Sequence, residues 1–77
     1  MPLFHFNART GDKLLSDVEG EKLPNLEAAK RVATTSAREE LVEAVKFSQV
    51  PPEHIQVTDS EGREVITVAV DDVIKGD

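Results

Sequence analysis

The chain is poor in the residues around which chemistry is most often built. It has no cysteine, which excludes disulfides and thiolate metal sites and suits a reducing cytosol. Its only aromatics are Phe4, Phe6 and Phe47. The first two read as core, so no exposed rings remain on which bases would stack. The four glycines, at 11, 20, 62 and 76, all punctuate turns and loops, and none belongs to a phosphate-binding loop. No Ser/His/Asp order carries the local signature of a nucleophile. No window approaches the ~18 apolar residues of a membrane span, and MPLFHFNARTGD at the N-terminus lacks the basic flank and apolar run of a secretory signal. A soluble, cytoplasmic protein is therefore expected.

Positive charge is also scarce: nine basic residues face fifteen acidic ones, for a net charge of −6. Within residues 25–48, Glu27, Glu39, Glu40 and Glu43 are balanced by Lys30, Arg31, Arg38 and Lys46. The excess negative charge thus lies outside that stretch. Such a surface repels phosphate backbones and acidic lipid, and it accommodates a basic protein partner.

What is present is one long periodic segment, NLEAAKRVATTSAREELVEAVKFS, and the spacing predicts a helix over about 25–48. Leu26, Ala29, Ala33, Ala37, Leu41, Ala44 and Phe47 fall on one stripe at i, i+3, i+4 spacing. Four of the seven are alanine, short enough to bring the helix axis close to a flat sheet, with Leu26, Leu41 and Phe47 adding bulk towards the ends. Asn25 fits the N-cap, Glu27 and Lys46 suit the helix dipole, and Pro51-Pro52 closes the far end.

Strand periodicity flanks the helix. Residues 3–8 alternate, with Phe4, Phe6 and Ala8 on one face and Leu3, His5 and Asn7 on the other. After the turn at Thr10-Gly11, residues 13–16 return as a weaker strand with Leu15 inward, and Asp17–Lys22 reads as a polar loop. Residues 54–58 and 64–70 form a second hairpin around Asp59-Ser60-Glu61-Gly62. A four-residue loop there sets Ile55 opposite Ile66 and Thr58 opposite Arg63. The tail from Asp71 to Asp77 can form one helical turn that docks Val73 or Ile74. The fold class is α+β, ββαββ: two hairpins form an antiparallel sheet packed on one helix, in a single domain spanning residues 1–77. At this length a single hydrophobic core is near its lower limit, and a partner subunit would help it.

Few residues offer chemistry. His5 and His54 are the only histidines. A metal-binding or hydrolytic role would need an acid brought beside one of them by folding; His5 otherwise reads as an exposed or interface residue. Asp17, Glu19 and Glu21 do not keep the spacing of a calcium loop, because glycine comes fourth rather than sixth. Thr34-Thr35-Ser36 presents no common hydroxyl face. The remaining candidate is the helix-free sheet face. If the first and last strands are neighbours, Leu3, His5, Val65, Thr67 and Ala69 make a semi-apolar interface, and edge strands offer unpaired backbone groups as well.

With these segments in view, the chain resembles a family of short, acidic, uncharacterised proteins of rhizobial-type alphaproteobacteria, known only as a domain of unknown function. The resemblance rests on FHF at 4–6, TGDKLLSDVEG at 10–20, LPNLEAAKRVA at 23–33 and IQVTDSEGREVITV at 55–68. Thr10 and Asn25 stand where the family commonly has aspartate, and both keep the turn or the cap. The resemblance implies no activity, cofactor or site residue. The expected function is a non-catalytic interaction or structural module that self-associates, as a dimer, through its helix-free face or an edge strand. No enzyme activity, cofactor or metal is expected. The alternatives are nucleic-acid binding through Lys30, Arg31 and Arg38, and a small metal-binding or hydrolytic protein.

Overall fold

The computed structural model describes residues 1–75 and the side chains of residues 1–73. The elements are β1 (Leu3–Thr10), β2 (Lys13–Leu15), β3 (Glu21–Lys22), α1 (Leu26–Lys46), β4 (His54–Thr58), β5 (Glu64–Ala69) and a short α2 (Asp72–Lys75). Every pairing is antiparallel, in the order β2-β1-β4-β5, with β3 also pairing β1. The α+β arrangement of a hairpin sheet packed on one long helix is as the periodicities imply. β3 is the addition, formed within the stretch that reads as a polar loop.

α1 starts where Asn25 Oδ1 accepts the Ala28 N–H at 2.9 Å, and it presents Ala28, Ala29, Ala33, Ala37 and Ala44 inward. Ala29, Ala33 and Ala37 cluster with Phe4, Ile55, Val57 and Val70, and Phe6, Leu41, Ile66 and Val68 pack half-buried around them. A row of methyl groups lets the helix settle on the sheet, so the larger side chains come mostly from the strands. Leu26 and Phe47, read as bulk for the two ends, are instead 50% and 63% exposed. Length explains this: 21 helical residues extend about 31 Å, whereas strands of five or six residues cover only about 17–20 Å. The helix overhangs the sheet.

The helix ends before the prolines. Ser48 takes a left-handed φ of 54°, its N–H donates to Val45 O, and the Gln49 N–H donates to Ala44 O at 2.8 Å. These two bonds close the last turn as a Schellman motif, with serine in the place usually held by glycine.

The second hairpin differs from the expected register. The pairs are Ile55 with Val68 and Val57 with Ile66, not Ile55 with Ile66. Asp59 and Arg63 close a three-residue loop: the Asp59 N–H donates to Arg63 O at 2.9 Å, and Asp59 Oδ1 accepts the N–H groups of Glu61 and Arg63. Thr58 then lies opposite Glu64 rather than Arg63. One residue fewer in the loop would turn Ile66 away from the helix. A bulge at Val65, where the register shifts, restores the parity and returns Ile66 and Val68 to the core face.

Leu15, expected inward, is 76% exposed. β2 lies at the sheet margin, while α1 packs on β4 and β5, so Leu15 meets only an open cleft beside Ser36 and Glu40 of the helix. At the C-terminus Val73 packs against the core, as one of the two expected contacts. The other, the Ile74 side chain, lies outside the described residues, as do Gly76 and Asp77.

Candidate interaction site at the sheet edges

The two margins of the sheet are built differently. On the β1 side, β2 and β3 pair with the two ends of β1 and leave the outer side of its middle without a strand partner, β4 lying on the inner side. Residues 16–20 fill the gap, and Asp17 supplies the missing hydrogen bonds. Its Oδ2 accepts the Phe6 N–H at 3.0 Å and its Oδ1 accepts the Gly20 N–H at 3.2 Å. Its own N–H donates to Asn7 Oδ1 at 2.8 Å, and its carbonyl accepts from His5 Nδ1 at 2.7 Å. A carbonyl only accepts, so Nδ1 of the imidazole is protonated. Gly20, at φ +74°, is pressed so close that an added Cβ would stand 2.9 Å from Phe4 O and 3.0 Å from the His5 ring.

The Asp17 carboxyl is held below its ordinary pKa. Burial is the largest single influence and acts upward. It is outweighed by the N–H groups of Phe6 and Gly20, the charge of His5 and the N–H of Glu19 acting together. Asn7, almost fully buried on the helix-free side, also donates through Nδ2 to Thr58 Oγ1 at 3.4 Å. This margin is interrupted, capped and polar, which blunts it against strand addition.

The β5 margin carries a bulge at Val65 and has α2 packed against its end, but past the bulge no strand or side chain among the described residues caps its outward backbone as Asp17 does on the other side. Val70 N–H donates to Glu53 O at 2.9 Å, and in an antiparallel ladder alternate residues bond to the same neighbour. Ile66 and Val68 therefore bond towards β4. The N–H and C=O groups of Thr67 and Ala69 face outward, and no further backbone partner of theirs exists among the described residues. The strand reads EVITVA, apolar, β-branched and without lysine or proline. Beside it runs a cleft walled on the other side by Lys30, Thr34 and Arg38 of α1 and lined as well by Asp72 and Val73 of α2.

The residues read as an interface share a face but do not form a patch. β4 lies between β1 and β5, so the first and last strands are not neighbours; Gln56 and Thr58 separate Leu3 and His5 from Val65, Thr67 and Ala69. His5 is half-buried and engaged by Asp17 rather than exposed. Val65 occupies the bulge, and the Thr67 hydroxyl donates to Glu64 Oε2. Of the basic trio, Lys30 and Arg38 line the β5 cleft and Arg31 does not. His54 sits on β4 opposite Arg9 and Ala69, with no acid cross-paired to it. Among the described residues no group of three or more His, Asp or Glu side chains could hold a metal ion, and no helix is long and apolar enough to cross a membrane.

The sequence reading placed Asp17 in a polar loop and Asn7 on the outer strand face, and missed that they bond each other and that Asp17 caps β1. The available signal was the aspartate three residues before Gly20, a spacing that lets a carboxylate cap a turn. No curated protein and no solved structure matches the chain. One family does match, over residues 3–71, a span running from the start of β1 to just past β5. The chain belongs to that family, the domain of unknown function DUF6894.

Proposed function

We propose that this chain is a small, non-catalytic protein-interaction module that engages its partner by accepting a strand at the β5 edge. The observation carrying the reading is the contrast between the margins. One is interrupted and closed by Asp17, while the other presents the unpaired backbone of Thr67 and Ala69 on an apolar strand. Exposed edges of that kind invite pairing unless they are used, and proteins without such a use normally disarm them. The absence of cysteine suits a reducing cytoplasm, and the family resemblance implies a rhizobial-type alphaproteobacterium as the setting.

Proline tests the reading cleanly. The Thr67 N–H points out of the sheet, so Thr67→Pro blocks strand addition without removing a bond to β4. Ala69→Pro does the same one pair along. The unaltered chain should associate in sedimentation or in capture from host extract, and each variant should keep the thermal transition of a folded domain while losing that association. If both variants fold and retain every association, the reading is wrong.

A further inference from the structure

The β5 cleft has one wall of backbone and one of helix, and the two together specify an occupant. The backbone wall offers outward N–H and C=O groups at Thr67 and Ala69, which are directional and spaced for a neighbouring strand. The helix wall offers Lys30, Thr34 and Arg38, residues that stack along one line of α1 at i, i+4 and i+8; Asp72 of α2 lines the same cleft, so two cations face one carboxylate there. The Thr34 hydroxyl is already engaged with Lys30 O at 3.0 Å. Lys30 and Arg38 take part in no ion pair among the described residues, where the only pairs are those of Arg63 with Asp59 and Glu61.

From this geometry we infer that the β5 edge takes an extended acidic segment of a partner protein, added as a further strand with its carboxylates reaching Lys30 and Arg38. The inference rests on the interaction-module reading above and names its ligand. Spacing supports it. Eight residues of helix rise about 12 Å, and four residues of strand rise about 13 Å. Carboxylates four apart on the added strand therefore fall on one face, opposite the two cations, with a small residue between them facing Thr34.

A second copy of this chain fits less well. Antiparallel pairing of β5 with its own copy sets both α1 helices on one side of a continuous sheet, so the Lys30–Arg38 row confronts another such row, a like-charge juxtaposition. Asp72 in each copy's cleft offsets only one of its two cations, and the one carboxylate on β5, Glu64, is paired opposite Thr58 and accepts from the Thr67 hydroxyl. That places it on the helix-free face, out of reach of those cations.

The test uses a fluorescein-labelled synthetic peptide with the core Glu-Val-Thr-Val-Glu, a lysine counterpart with Lys-Val-Thr-Val-Lys, and fluorescence anisotropy at low salt. The acidic peptide should bind and the lysine peptide should not. The double variant Lys30→Glu, Arg38→Glu should weaken binding by about tenfold or more, and Thr67→Pro should remove it. Equal binding of the two peptides, or binding indifferent to the double reversal, overturns the inference. Absence of peptide binding alongside self-association that Thr67→Pro abolishes also overturns it, in favour of a second copy, and leaves the interaction-module reading in place. Absence of both removes the inference and the reading together.

Discussion

Replacing Asp17 by alanine should cost about 2 kcal/mol of folding stability, and the reason lies in the gap it fills. Phe6 is mid-strand, and its N–H has only the Asp17 carboxylate to donate to. A charge-assisted bond of this kind contributes about 1.5–3 kcal/mol, and the second, to the Gly20 N–H, adds about 0.5–1.5. Water reaches this margin, because Asp17 is only half-buried, and rehydration of the freed N–H groups offsets part of the sum. Against a total stability of about 5 kcal/mol for a domain this small, the net loss is a large fraction. At roughly 4–8 °C per kcal/mol, the thermal midpoint should fall by about 8–16 °C, read by circular dichroism at neutral pH.

The pH dependence of the same site has a definite sign. The folded carboxyl lies below its unfolded value of ~3.9, because the N–H donors and the charge of His5 outweigh burial. Its stabilising contribution is thus complete above that value and is lost as pH falls through the lower folded one. Asp17→Asn, which cannot ionise, should flatten the acid limb of the stability curve below about pH 4. An Asp17→Ala midpoint within about 2 °C of the unaltered chain, or superimposable acid limbs for Asp17→Asn and the parent, would refute the role given to this side chain.

Two further substitutions bear on the helix. Ser48→Gly removes the side chain from the left-handed residue that ends α1 and should stabilise the domain by about 0.5–1 kcal/mol, measured as a rise in the urea midpoint at unchanged slope. Ala33→Leu inserts bulk at a site with 0% exposure, between α1 and the sheet; it should cost about 1–3 kcal/mol, whereas Val42→Leu on the exposed face should stay within about 0.5 kcal/mol in the same titration.

How much of this was legible in the sequence depended on whether the signal was periodic. The alanine stripe named the buried face of α1, and alternation placed Phe4, Phe6, Ile55 and Val57 towards it, because both patterns repeat over several turns or pleats. Single-residue events were opaque. The three-residue loop closed by Asp59 and the bulge at Val65 each shift the register by one, and they cancel in parity, so the correct face came with the wrong pairing. Leu15 reads inward by alternation alone, yet its burial depends on where the helix lies, which no local pattern states. Strand order was equally hidden. It separates Leu3 and His5 from Val65, Thr67 and Ala69. The Lys30–Arg38 pair was visible as charge, but its place in a cleft beside β5 was not.

The measurement that bears most directly on the open β5 edge is amide hydrogen exchange resolved by residue, taken on the dilute protein and again with the acidic peptide at saturation. The N–H groups of Thr67 and Ala69 should exchange rapidly in the free protein, while those of Ile66 and Val68, bonded to β4, are protected. On adding the peptide, Thr67 and Ala69 should become protected and the Phe6 amide, held by Asp17, should not change. Protection of Thr67 and Ala69 already present in the dilute monomer, or no gain at saturation, would contradict the account.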